Sequence, residues 1–403
     1  MLTEIGLENF KRFKSELRVP CGQLNLFTGI NSKGKSTALQ PLLLFHQALA
    51  FSASDGLALR SIALNGESVQ VGSFRDLQHR DRRIDPVTIS FEFESADKVA
   101  SARFQLQAAD NEQRRALFQR IDIEQWFDKQ PQQSVILGPK GPVMLDLDNS
   151  SKEIGPMVRS ELRSLRYVHH VGADRMGPQE FYPRLDDPGF VTVGVRGERC
   201  AEAIAWADRE QKRIEDSMLA PPSKGAEGEA RTVADQSTAW LSYVFDGARV
   251  RVQEPYSTIL TIEFNADGSA HYDRPTNVGF GFSYILPVIV AGLIAQPGQI
   301  LVVENPEAHL HPMAQARLGE FLARVASTGV QVFVESHSEH ILNSFRLAVR
   351  EKVVPASNLV VLYFSDGDVP VLRIPVTEGG GVEHWPEGFF DQRLQDFVRL
   401  FGR

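Results

Sequence analysis

The chain has 403 residues, 42% of them hydrophobic and 23% charged, with a formal net charge of −8. That balance excludes a disordered chain, and the acidic excess excludes a surface coated throughout with nucleic acid while leaving room for a local basic patch. Two cysteines, Cys21 and Cys200, are too few for a disulfide framework or a four-cysteine zinc site, so a reducing, cytoplasmic setting is expected.

In chain order, residues 1–30 predict two short strands. Ile5 and Leu7 alternate with polar neighbours, and Leu24 to Phe27 is an apolar run that ends before Gly29. The opening MLTEIGLENFKRF has no long apolar stretch after a basic start, so no secretory leader is expected. A helix follows, with Leu39, Leu42, Leu43, Leu44 and Phe45 on or near one face. From Val87 to Phe104 the alternation predicts a strand, with Val87, Ile89, Phe91 and Phe93 pointing one way. Residues 105–240 are more polar and more broken, and predict an insertion. Within it, Glu202–Met218 predicts a helix charged on most sides, and Pro221–Ala230 a mobile loop.

Regular order returns at Ile259, where a strand begins. Tyr284–Ala295 predicts a buried helix, and its apolar part is far shorter than the ~20 residues of a membrane span, so no membrane partner is expected. Ile300–Val303 is a wholly apolar strand, Met313–Ala326 a helix with Leu318, Phe321, Leu322 and Val325 on one stripe, Val330–Val334 a strand and Ile341–Val349 a helix. Strand, helix, strand, helix predicts an α/β fold with a parallel or mixed sheet. Two last strands, Leu359–Phe364 and Val371–Val376, precede the PEGFFD tail.

The sharpest motif is Gly29-Ile30-Asn31-Ser32-Lys33-Gly34-Lys35-Ser36-Thr37, which fits G-x-x-x-x-G-K-[ST] between an apolar strand and an apolar helix. Glycines let consecutive N–H groups turn inward on a phosphate, and the loop ends at a helix N-terminus that favours anions. Lys35 is the expected point charge for the β- and γ-phosphates, and Ser36 the expected Mg²⁺ hydroxyl. Nucleotide hydrolysis also needs carboxylates at a neighbouring strand end. Ile300-Leu301-Val302-Val303-Glu304-Asn305-Pro306-Glu307 supplies them, with Glu304 as the expected Mg²⁺ ligand. His309 and His311 sit two apart in a loop with no nearby cysteine and predict structural roles. His337, just after the next strand, is a candidate γ-phosphate sensor.

These residues carry a family resemblance. The opening Ile5–Phe13, the loop Gly29–Thr37, the acidic strand end with its HLHP continuation, and Ser336-His337 together resemble the ABC-type ATPase heads of the RecF, SMC and OLD kind. Asn277–Pro287 is similar to the degenerate signature motif of that group. The resemblance implies a P-loop NTPase head that pairs head to head as a homodimer with ATP at the interface, Ser283 and Gly281 contacting the opposite subunit's nucleotide. The elements VGSFRDLQH (71–79), VGADRMGP (171–178), ENPEAHLHP (304–312), ESHSEH (335–340) and PEGFFDQ (386–392) resemble a bacterial ATPase family with a short C-terminal domain of unknown function. Members of this wider group work in anti-phage defence, as in the Septu (PtuA-like) and PARIS systems, beside a nuclease or toxin effector. One departure stands out. The group's Asp-Glu strand end is Glu304-Asn305 here, and asparagine cannot take a proton from water. Glu307 is then the remaining candidate base, or hydrolysis is slow.

Four segments are expected: 1–104, the N-terminal lobe of the head; 105–240, a middle insertion with the loop 221–230; 241–376, the C-terminal lobe; and 377–403, a tail. The expected function is an ATP-binding, Mg²⁺-dependent ATPase acting as sensor or scaffold for a nuclease or toxin in phage defence. The alternative is a RecF-like ATPase gripping duplex DNA through Arg80, Arg82 and Arg83, or Arg114 and Arg115. The 63 residues after His340 are too few for a nuclease domain.

Overall fold

A computed structural model describes residues 1–51, 58–59, 61–95, 98–109, 113–127, 130–137, 145–147, 155–184, 189–214, 219–222, 231–366 and 369–402. Its elements begin with β1 (Leu2–Glu8), β2 (Leu17–Pro20), β3 (Leu24–Gly29), α1 (Lys35–Phe51), β4 (Ala58–Leu59), β5 (Ser61–Ala63), α2 (Phe74–Leu77) and β6 (Val87–Ser95). Next come β7 (Lys98–Ala108), β8 (Arg115–Phe127), β9 (Gln130–Leu137), β10 (Leu145–Asp146), α3 (Pro156–Ser164), β11 (Val168–Val171), β12 (Tyr182–Pro183), α4 (Cys200–Arg209), β13 (Arg213–Ile214) and β14 (Arg231–Thr232). The chain continues through α5 (Val233–Val244), β15 (Arg249–Tyr256), β16 (Ile259–Asn265), α6 (Phe280–Ile294), β17 (Ile300–Glu304), α7 (Pro312–Ser327) and β18 (Gln331–Glu335). It ends with α8 (Glu339–Arg350), β19 (Leu359–Phe364), β20 (Val371–Ile374) and α9 (Gln392–Phe401).

Two compact units emerge, one of residues 1–22 and 34–168, the other of 23–33 and 169–403. They cut the chain at 22, 33 and 168, whereas the sequence segments end at 104, 240 and 376. The first unit is built on a seven-stranded sheet, order β2-β1-β6-β7-β8-β5 with β9 on β8. Its inward residues alternate as the pattern demands: Ile5 pairs with Phe91, and Ile89 with Phe104. Phe45 of α1 packs among Phe91, Phe104 and Phe118 at centroid distances of 4.9, 4.7 and 6.3 Å. Each such buried side chain contributes about 1.5–3 kcal/mol. Two expectations are corrected here. Val87–Phe104 is a hairpin of β6 and β7 rather than one strand, and β2 adds a third strand before Gly29. Beyond residue 105, β8 and β9 continue the same sheet. β8 pairs on both edges and buries Ala116, Phe118, Ile121 and Ile123, an apolar alternation set among polar neighbours.

The second unit holds a six-stranded sheet, order β11-β17-β18-β3-β19-β20. β17, β18, β3 and β19 are successive parallel neighbours, and β20 closes antiparallel on β19. These parallel strands are apolar along their length because both faces are covered. The α/β class and parallel sheet expected from the sequence are therefore observed. β3, from the start of the chain, slots between β18 and β19, which come from its end. α6 is buried nearly all round, as a helix apolar on every side must be. Trp240 of α5 meets Phe321 of α7 edge to face at 4.8 Å, and its indole N–H donates to Leu219 O at 2.7 Å. The tail is pinned as well: Phe389 is fully buried against Tyr363 of β19. The helix expected over Glu202–Met218 is α4, which starts at Cys200 and stops at Arg209. Residues 215–218, and from residue 223 the expected mobile loop, lie outside the described residues. Among the described residues, no helix is long and apolar enough to cross a membrane.

Candidate nucleotide site

In the second unit, β3 runs into the phosphate-loop motif at Gly29. Its φ is +127°, and a Cβ there would stand 2.2 Å from Phe364 O, so only glycine fits beside β19. The Ile30 N–H then donates to Phe364 O at 3.0 Å. Asn31 and Ser32 are exposed, Ser32 with φ of +62°. Lys33 forms an ion pair with Asp366, just past β19. The remaining motif residues belong to the first unit. Gly34 has φ of +101°, and a Cβ would meet the Phe13 ring at 2.6 Å. Lys35 opens α1 and is 4% exposed, Ser36 is exposed, and Thr37 is half-buried. Gly34 O accepts from the Ala38 N–H at 2.9 Å.

The parallel register of the second unit sets Glu304 of β17 level with Glu335 of β18 and Phe27 of β3. The C-terminal ends of three neighbouring strands thus carry the acidic turn, Ser336-His337 and the start of the loop. Glu304 Oε1 lies 3.1 Å from His170 Nε2. Burial pushes the Glu304 carboxyl up, but the His170 hydrogen bond and charge, the Ala173 N–H and the Arg175 guanidinium outweigh it and hold it below the usual carboxylate range. Glu304 is therefore ionised at neutral pH and partly exposed. That fits Mg²⁺, which takes one or two carboxylates beside phosphate oxygens and waters. Among the described residues, no group of three or more His, Cys, Asp or Glu side chains would hold a metal unaided.

Asn305 has φ of +44°, and its Oδ1 is buried without a hydrogen-bond partner. Glu307 Oε2 accepts from the Ser336 hydroxyl and Oε1 from the His337 N–H, both at 2.8 Å. Glu307 thus sits against the turn that presents His337, whose residue is exposed. Arg175, 2% exposed, donates to Glu304 O at 2.8 Å and Asn305 O at 2.6 Å. Burial pushes its guanidinium down to about 10, against the opposing pull of Glu307, Tyr284 and Glu304, so it stays charged at neutral pH.

At the start of α6, Gly281 packs so closely that a Cβ would meet His309 O at 3.1 Å. The Ser283 hydroxyl, which the resemblance assigns to an opposite subunit's nucleotide, is buried and without a partner. His309 lies edge-on to Tyr284 at 4.5 Å, and His311 caps α7 by accepting from the Met313 N–H at 3.4 Å. His170, Arg175, Ser336 and Asp366 were not singled out as site residues by the sequence. Arg175 stands inside VGADRMGP, and His170 in an all-buried VHHV strand where two histidines are out of place.

Residues 203–343 match a family described as "AAA domain, putative AbiEii toxin, Type IV TA system". Residues 354–400 match "Protein of unknown function (DUF3696)". No curated protein matches the chain. Similar solved structures include an SMC head bound to the C-winged helix domain of ScpA, at 12% identity and a TM-score of 0.46, over 94% of this chain and 98% of that one. The SMC head domain from Thermotoga maritima aligns at 11% identity and a TM-score of 0.39, over 93% and 99%. The Smc head domain with an extended coiled coil, bound to the C-terminal domain of ScpA and derived from Pyrococcus furiosus, aligns at 11% identity and a TM-score of 0.46, over 100% and 99%. At such scores these likenesses carry no inference about activity or partners.

Proposed function

We propose that this chain is an ABC-type ATPase that binds ATP with Mg²⁺ on Gly29–Thr37 and pairs head to head with a second copy. The observation that supports it most is the strand order β17-β18-β3, which gathers the acidic turn, Ser336-His337 and the loop start at one edge of a parallel sheet. Open α/β sheets bind ligands at such strand ends. The match of 203–343 to an AAA domain supports the same reading.

In this reading the loop N–H groups and Lys35 hold the β- and γ-phosphates. Ser36 and Glu304 are assigned to Mg²⁺, which neutralises charge on the phosphate oxygens when bound. Asn305, at the position where the group carries its catalytic glutamate, cannot take a proton from the attacking water. Glu307 takes the proton: each oxygen holds one donor and keeps a lone pair for the water. His337 approaches the γ-phosphate, and Gly281 and Ser283 serve the opposite copy's nucleotide. With no carboxylate at position 305, turnover is slow and the nucleotide acts chiefly as a clamp between copies.

The clamp serves as sensor or scaffold for an effector protein, a nuclease or toxin, in bacterial phage defence. The family description over 203–343, which names a toxin system, supports this direction. In the RecF-like alternative, exposed Arg80 and Arg83 would face DNA phosphates, while Arg82 is engaged by Glu8 and Asp85. Binding of a fluorescent ATP analogue to the native chain and to Lys35→Ala tests the core of the proposal. Equal binding by both would overturn it, and tight, salt-sensitive duplex binding by the chain alone would favour the alternative.

A further inference from the structure

We propose that Arg175 is a positioning residue that locks the Glu304–Asn305 strand end to the start of α6, so that the acid turn and that helix start respond as one piece. The inference rests on the ATPase reading above and deepens it. Taking a guanidinium out of water is expensive, and an apolar residue of similar volume usually serves stability as well. Arg175 is nevertheless buried; its Nε–H has no partner, and its terminal nitrogens donate to backbone carbonyls: Gly172 O at 3.3 Å, Glu304 O at 2.8 Å and Asn305 O at 2.6 Å. Two of those carbonyls belong to Glu304, the residue assigned to Mg²⁺, and to Asn305 beside it. The planar fork holds them from two separate nitrogens in a fixed geometry, which a lysine's single nitrogen does not reproduce.

Asn305 takes a left-handed φ of +44°, a conformation that needs outside support and whose carbonyl Arg175 holds directly. On its other side the guanidinium carbon stands 5.4 Å from the centroid of the Tyr284 ring, in the first turns of α6. Tyr284 lies edge-on to His309, and His309 O abuts Gly281. The turn after β17 and the helix start therefore meet directly, through His309 against Tyr284, Phe280 and Gly281, and again through Arg175, which ties the strand end to Tyr284. Phe280, at the same helix start, is 56% exposed, so a shift of the strand end is delivered to the surface.

The test is ATP-analogue binding titrated with Mg²⁺, run beside light scattering for pairing. Arg175→Lys should raise the Mg²⁺ concentration at half-effect about tenfold, as lost support around a metal carboxylate does, with metal-free nucleotide binding unchanged. Tyr284→Leu keeps the fork and removes the ring. It should weaken nucleotide-driven pairing about fivefold or more while the Mg²⁺ midpoint stays put. A melting temperature that falls with both midpoints unmoved would make Arg175 merely structural and overturn the proposal. Should Arg175→Lys fail to fold, an unmoved pairing midpoint in Tyr284→Leu overturns it alone. A native chain that binds no nucleotide would instead sink the ATPase reading and this inference with it.

Discussion

Glu304 shows how one residue's surroundings set its charge. Its carboxyl lies below the usual carboxylate range in the folded chain, so it binds fewer protons folded than unfolded. The stability it adds is fully present above the ordinary carboxylate pKa and is lost as pH falls through the depressed folded value. Glu304→Gln should therefore be less stable than the native chain at neutral pH, with the gap closing below about pH 4. Urea midpoints across that range check this, and a gap independent of pH would refute it. The anchoring of Glu307 is separable from its proposed role as base. An amide in its place can still accept from the His337 N–H and donate to the Ser336 hydroxyl, so Glu307→Gln should keep the fold and ATP affinity while lowering turnover on the order of 100-fold. Glu307→Ala should also lose about 1–3 kcal/mol of stability, read by denaturation. The acid residues were legible because they follow an apolar strand. Arg175 was visible only as one letter of a motif, since nothing local says which carbonyls it will meet.

Elements were legible where period and burial agree. The stripe Leu318, Phe321, Leu322, Val325 marks α7, observed over Pro312–Ser327; β17, β18 and β19 fall within about one residue of their expected places, and β3 runs on past Phe27 to Gly29. They were illegible where buried apolar residues are spaced among polar ones, as with Phe118, Ile121 and Ile123 in β8. Helix contacts also reverse a local preference. Gly319 of α7 faces α8, and a Cβ would stand 2.7 Å from Ser344 Cβ. Alanine gains about 1 kcal/mol over glycine in an exposed helix. Here the close approach should win, making Gly319→Ala destabilising by about 1–2 kcal/mol in a urea titration. Stabilisation would show that the two helices part easily.

At the scale of the whole molecule, the proposed head-to-head pairing makes the start of α6 an interface. Ser283 is a poor probe of it, because an arginine at a 6% exposed site would disturb the core. Phe280 is exposed and tests the face directly. Phe280→Asp should leave ATP binding within about twofold yet weaken pairing in ATP and Mg²⁺ at least tenfold, about 1.4 kcal/mol, by light scattering. Undiminished pairing would place the interface elsewhere.

The sequence by itself determined the phosphate-loop motif, the acidic strand end and the α/β class, because each is written in neighbouring residues: a glycine spacing, an apolar run before an acid, a helical stripe. Only the tertiary structure decided that β3 enters between β18 and β19, that His170 and Arg175 close on Glu304 and Asn305, and that the polar stretch after residue 105 continues a sheet. Those are contacts between distant segments, set by strand order and packing. No local pattern encodes which partner a buried charge will find.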